Sequence, residues 1–239
     1  MDALERYLAA VRRNLFTSRE DAARLEADLR AHFAAAEADG EAPARILDDL
    51  GPPEEVAAAF NAEREIRYAG FWLRFVAFIG DFGALVALCL PAAALAVWWS
   101  TRAMPSGAPP IAKTLAIGAL GIAVTGILTL YFPLLEARFG KTLGKHLMRI
   151  RVVRESGAPI GFGQALVRRL SLYFELLVVD ALFIPFTDRR QRALDIIAKT
   201  IVAREPGEEA TAWGYLLCFG LPIVAMATLA AVVAFCAPA

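Results

Sequence analysis

Histidine and cysteine are scarce in this chain of 239 residues, which holds only His32, His146, Cys89, Cys218 and Cys236. Zinc sites need three or four converging ligands and a nucleophilic triad needs a base beside its nucleophile, so two histidines far apart in sequence leave little material for either. The cysteines all stand in apolar runs without paired ligand spacing, which reads as small buried side chains. No nucleophile, base and metal constellation can be assembled, and the expectation is a protein that is not an enzyme, carries no metal or cofactor and has no nucleic-acid partner. Residues 1–60 also lack the unbroken apolar core of a cleavable signal. Charge alternates there with Ala and Leu at helical spacing, so the N-terminal part is expected to stay on the side of the membrane where it was made.

Apolar residues are what the chain has in excess: 58% of it is hydrophobic and mean hydropathy is +0.50, above the roughly 45–50% of soluble domains. The net charge of zero hides an uneven distribution. Residues 1–67 carry nine Arg against fifteen Asp and Glu, whereas residues 68–239 carry sixteen Lys and Arg against ten acids. That split marks a domain boundary. The fold class expected is all-α: a polytopic membrane helical bundle with a small soluble helical domain at its N-terminus. The boundaries read as 1–67 for the soluble domain, 68–204 for the membrane domain and 205–239 for a C-terminal span.

Within the first part, Leu4, Leu8, Val11 and Leu15 recur at helical spacing, and Thr17-Ser18-Arg19-Glu20 supplies a capping box for a second helix through Leu25, Leu29 and Phe33. Asp39-Gly40 stops that helix. Pro43 opens a short third one over Ala44 to Leu50, and Pro52-Pro53-Glu54-Glu55 opens a fourth, which is expected to run through Phe60 and Ile66 towards the membrane.

The first apolar run, Phe71 to Trp99, is bracketed by Trp72 and Trp99 as interface anchors and carries Pro91 and, among its small residues Ala77, Gly80, Ala84 and Ala87, the acid Asp81. A carboxylate at that depth costs about 2.5–3.5 kcal/mol on insertion scales and needs a partner, a proton or water. Arg74 lies two helical turns away, roughly 10 Å along the axis, too far for a direct pair. Arg74 is free to snorkel or to meet an acid such as Asp195, and Asp81 to meet a cation or hydroxyl of the second span, read as Ile111 to Leu135. Gly121, Thr125 and Thr129 offer that span a packing face towards the small strip of the first. The cationic stretch after it, Arg138 to Arg151, places that loop and the N-terminus in the cytoplasm by the positive-inside rule. Its Lys141, Lys145, Arg149 and Arg151 are expected to meet anionic lipid. A third run, Leu170 to Phe186, carries Glu175 and Asp180 and is flanked by arginines at both ends. Return to the cytoplasm is favoured over a full crossing, with Ile150–Val153 and Thr200–Val202 pairing as strands and Ser156-Gly157-Ala158 as a turn. A last span covers Ala212 to Phe235.

Three pieces in order, Arg74 to Asp81, Gly140-Lys141-Thr142-Leu143-Gly144-Lys145, and Arg192 to Thr200, together resemble the RDD family of bacterial membrane proteins over residues 68–204. The resemblance places the family's arginine at Arg74 and its two aspartates at Asp81 and Asp195. It departs at Leu194, where members usually carry His, and at Lys199, where they usually carry Gly. Residues 46–57, Ile46 to Ala57, resemble the end of a HAAS domain covering about residues 1–63. What the resemblances imply is a multi-pass protein of the bacterial inner membrane whose suggested role is transport of an unidentified ligand, joined to a cytoplasmic domain for signalling or protein interaction. Two readings stay open. One is a carrier of an ion or small solute through a polar site of Arg74, Asp81, Asp195, Glu175 and Asp180; the other is a membrane-tethered adaptor that acts through residues 1–67 on a cytoplasmic protein. Homo-oligomers are compatible with both.

Overall fold

The apolar spacing of the N-terminal part is realised as four helices in the computed structural model, which describes residues 3–98, 110–170 and 183–236. They are α1 (Ala3–Asn14), α2 (Arg19–Ala38), α3 (Pro43–Leu50) and α4 (Pro53–Ala62). The chain continues through α5 (Phe71–Trp98), α6 (Pro110–Phe139), α7 (Leu143–Leu147), β1 (Ile150–Arg154), α8 (Phe162–Val167), a 3-10 turn (Ile184–Phe186), α9 (Ala193–Ile197), β2 (Thr200–Arg204) and α10 (Ala212–Cys236). Trp99 and residues 171–182, with Glu175 and Asp180, lie outside the described residues, so the course of the third apolar run does too.

The helical module closes on Tyr7, Leu8, Val11, Leu29 and Ala57, flanked by Leu4, Leu15, Leu25, Leu47 and Leu50. Tyr7 donates its hydroxyl to the carbonyl of Gly51 at 2.9 Å, tying α1 to the turn between α3 and α4. The cap of α2 is Ser18, whose Oγ accepts from the amide of Asp21 at 3.1 Å. Asp21 thus takes the place expected for Glu20, because the cap is Ser18 and the acid must stand three residues on. The hydrogen bond from Ser18, with Arg64 nearby, holds the Asp21 carboxyl below its ordinary range.

The fourth helix does not run on towards the membrane. It ends at Ala62, and residues 67–69 are instead extended: the Ala69 amide donates to Val202 and the Arg204 amide to Arg67, each at 2.8 Å. Tyr68 bridges Ala203, so this segment lies along β2 on the edge that β1 leaves free. On its other edge β2 pairs antiparallel with β1, Val152 opposite Val202, as the strand expectation required. The turn expected at Ser156-Gly157-Ala158 is present, with Gly157 at φ +83°. The Arg154 amide donates to Ala158 at 2.8 Å.

Two compact units result, each built from segments distant in sequence: residues 1–69 with 150–209, and residues 70–149 with 210–239. In the first, Phe16, Val153, Ile201 and Ala203 form a core with Ile66 and Tyr68, joining the α1–α2 corner to the strands. Among the described residues, the second contains three helices long and apolar enough to cross a membrane, over Phe71–Ala92, Gly118–Phe139 and Ala212–Val232. Their outward side chains are those a lipid phase would solvate, among them Trp72, Phe75, Phe78 and Phe82.

The small residues of α5 pack differently from the sequence expectation. A Cβ built on Gly80 would lie 2.7 Å from Cys218 Sγ, and one on Gly83 would lie 2.5 Å from the Pro222 nitrogen. The strip therefore faces α10. Gly121 of α6 has nothing within 4 Å of such a Cβ, so the expected close packing of the Gly121 face against α5 is corrected. Backbone approach of this kind depends on matching small residues across an interface, and α10 supplies the match.

Candidate functional site

Asp81 projects from α5 and is 1% exposed. It accepts from Thr142 Oγ1 at 2.6 Å, from the Gly144 amide at 2.8 Å and from the Tyr131 hydroxyl at 3.1 Å. Thr142 is the N-cap of α7 and Gly144 its second residue, so the buried carboxylate supplies the acceptor that the start of this short helix lacks. The Tyr131 bond meets the expectation of a hydroxyl from the second span. Three donors offset part of the cost of burying this carboxyl group, since a hydrogen bond to a charged group contributes about 1.5–3 kcal/mol.

The surrounding glycines show why the segment reads Gly-Lys-Thr-Leu-Gly-Lys. Gly140 ends α6 at φ +72° while its amide donates to Glu136 at 2.8 Å. Gly144 is pressed on α5: a Cβ there would lie 1.9 Å from the Ala77 carbonyl oxygen. On the opposite side a Cβ at Gly214 of α10 would lie 2.4 Å from the Leu147 carbonyl. The short helix is thereby wedged between α5 and α10. Lys145, expected to face lipid, instead pairs with Glu136, which is 2% exposed. Turning the ammonium inward gives that buried carboxylate its counter-charge, which corrects the lipid-facing expectation for this residue. Arg151 belongs to β1 and pairs with Glu205 at 3.3 Å. Lys141 lies between α6 and α7, and Arg149 takes φ +53° just before β1.

A second buried cluster lies in the other unit. Arg168 Nη1 donates to Asp195 Oδ1 at 2.5 Å and to Thr200 Oγ1 at 2.7 Å, with the Arg168 and Asp195 side chains 1% and 0% exposed. Asp195 also caps the start of α9 by accepting from the Arg192 amide at 3.2 Å. Gln191 Nε2 donates to the Thr200 carbonyl at 2.9 Å and to Glu155 Oε1 at 3.1 Å. The residues expected to form one constellation thus fall in two units, Arg74 and Asp81 in one and Asp195 in the other. Each aspartate performs the same task, fastening the N-terminal turn of a short helix. Arg168 and Gln191 were not singled out by sequence; an arginine beside an apolar run signals only a flanking charge until its partner is known.

The same unit has a polar hub where the helical module meets the strands. Asn61, at the end of α4, is 2% exposed and accepts from the Phe16 amide at 2.9 Å. Its Nδ2 donates to the carbonyls of Asn14 at 3.1 Å and Ser156 at 2.9 Å. Gly157 must be glycine here, because a Cβ would come within 2.4 Å of Asn61 Nδ2 and φ is positive.

Comparison with known proteins agrees with these features. Residues 6–59 match the HAAS domain and residues 68–199 the RDD family. The chain is similar to the uncharacterized membrane protein YteJ of Bacillus subtilis (strain 168), with 24% identity over 166 residues, which covers 66% of this chain and 91% of that protein. No solved structure matches. With more than half its length matched by that family, this chain belongs to the RDD family of membrane proteins and carries a HAAS domain at its N-terminus.

Proposed function

We propose that the protein is a membrane-anchored adaptor whose acidic helical module receives a cytoplasmic protein and is packed onto the strand pair of its own unit. The observation that carries this reading is the Asn61 hub, in which one buried amide joins α1, α4 and the β1 turn. A module held that way reports a change in its packing to β1 and β2. Its fifteen carboxylates against nine arginines favour a partner with a basic surface. On this reading the N-terminus lies in the cytoplasm and the chain resides in the inner membrane.

The carrier reading rested on Asp81, Glu175 and Asp180 at membrane depth, and of these Asp81 is among the described residues. Its oxygens are instead engaged by Thr142, Gly144 and Tyr131, which supports a holding role over a transport role. The test is photo-crosslinking in the native cells from exposed positions of α2, such as Ala27 and Ala34. A discrete protein adduct from α2 that is lost on Asn61→Ala is expected. If no α2 position yields an adduct while Asp81→Asn abolishes solute or proton flux in proteoliposomes, the adaptor reading falls and the carrier reading replaces it.

A further inference from the structure

A cleft of about 650 Å3 in the unit of residues 1–69 and 150–209 is lined by four arginines, Arg64, Arg67, Arg190 and Arg204, against the two carboxylates Glu65 and Asp188. Three separate segments bring them together: the stretch before α5, the turn before α9 and the end of β2. Since Tyr68 pairs with Ala203, Arg67 stands directly opposite Arg204 across the ribbon. Like charges in that relation destabilise a strand pair. The two cations are poorly neutralised: Arg67 reaches Glu209 only at 3.7 Å with both side chains largely exposed, and among the described residues Arg204 makes no ion pair. The turn carrying Arg190 is held in place by its own bonds, Arg190 amide to the Thr187 carbonyl at 2.9 Å and Gln191 amide to Thr187 Oγ1 at 2.7 Å. Its φ of +50° fixes that arginine in a conformation disfavoured for a side-chain-bearing residue.

We propose that this cleft is a binding site for a phosphoryl anion, gripped between the opposed guanidinium groups of Arg67 and Arg204, with Arg190 completing the cationic wall and Arg64, at its edge, paired with Asp21 at 2.7 Å. Guanidinium forks match phosphate oxygens two at a time, which ammonium groups do not. An anion between the cross-strand arginines turns their repulsion into a shared attraction. The volume admits more than bare phosphate, and Tyr68 is three residues from the first residue of α5, at most about 10 Å of chain. Both the headgroup phosphate of an anionic lipid and a free phosphate-bearing solute satisfy this chemistry.

The test uses the full chain in neutral maltoside micelles, titrated calorimetrically with inorganic pyrophosphate and, separately, with short-chain phosphatidic acid. Saturable one-to-one binding is expected, weakened about tenfold or more by Arg67→Gln with Arg204→Gln, and unchanged by Arg24→Gln, an exposed arginine of α2 outside the cleft. Phosphatidic acid binding alone assigns a lipid; pyrophosphate binding, alone or alongside it, assigns a free solute. Because the double substitution removes a like-charge opposition at an exposed place, the unliganded melting midpoint should hold or rise. If it falls, Arg204→Lys, which keeps the charge and loses the fork, carries the test with an expected loss of several-fold. No saturable binding of either probe, or an equal loss from Arg24→Gln, overturns the proposal.

Discussion

Asp81 and Gly144 depend on each other, because the carboxylate can reach the Gly144 amide only while α7 lies against the α5 backbone. A methyl group at Gly144 would sit 1.9 Å from the Ala77 carbonyl, and neither helix backbone can yield by itself. Gly144→Ala is expected to cost about 3 kcal/mol or more, the upper range for forcing atoms into a packed interface. Gly126→Ala, where 4 Å around the position is open, is expected to be neutral or to stabilise by up to about 1 kcal/mol. Thermal midpoints of both variants in detergent would check the contrast; equal effects would refute the wedge. That Asp81 needed partners was legible from its depth in an apolar run. Their identity was not, since Tyr131 and Thr142 stand 50 and 61 residues away and hydroxyl groups leave no periodic trace in a sequence.

At the scale of elements, one pattern occurs twice: a five-residue helix, a left-handed basic residue and a five-residue strand, first through α7, Arg149 and β1, then through α9, Lys199 and β2. The left-handed residue has φ +53° in one and +52° in the other. Lys199 is where RDD members usually carry glycine, and the backbone gives the reason, since only glycine takes this conformation without a Cβ penalty of about 1–2 kcal/mol. Lys199→Gly is expected to stabilise the protein by about 0.5–1 kcal/mol after the entropic cost of glycine in the unfolded chain is set against the relief. A melting midpoint unchanged or lowered would show that Lys199 contributes contacts outweighing its strain. The strands themselves were readable from their β-branched residues and the cap of α2 from its Ser. The early end of α4 was not, because its sequence favours helix onward while residues 67–69 bond to β2 instead.

Over the whole molecule, hydropathy identified the three long apolar helices, whereas the make-up of the unit that holds the helical module could not be read that way. It is assembled from residues 1–69 and 150–209 through contacts such as Asn61 to Ser156, 95 residues apart. The assembly constrains topology. β1 pairs with β2 and Arg168 pairs with Asp195, and the expectation that follows is that the described residues before 171 and after 182 in this unit share one side of the membrane. Both Glu65 and Arg190 are exposed members of the unit. Glu65→Cys and Arg190→Cys are therefore expected to respond alike to a membrane-impermeant maleimide: protected in intact spheroplasts, labelled after permeabilisation. Both variants are made with Cys89→Ser and Cys236→Ser, and native Cys218, buried against Gly80, contributes little background. Labelling of residue 190 from outside while residue 65 stays protected would be incompatible with the strand pair and with the buried Arg168–Asp195 bond at once, since the ends that those interactions join would then be separated by about 30 Å of hydrocarbon.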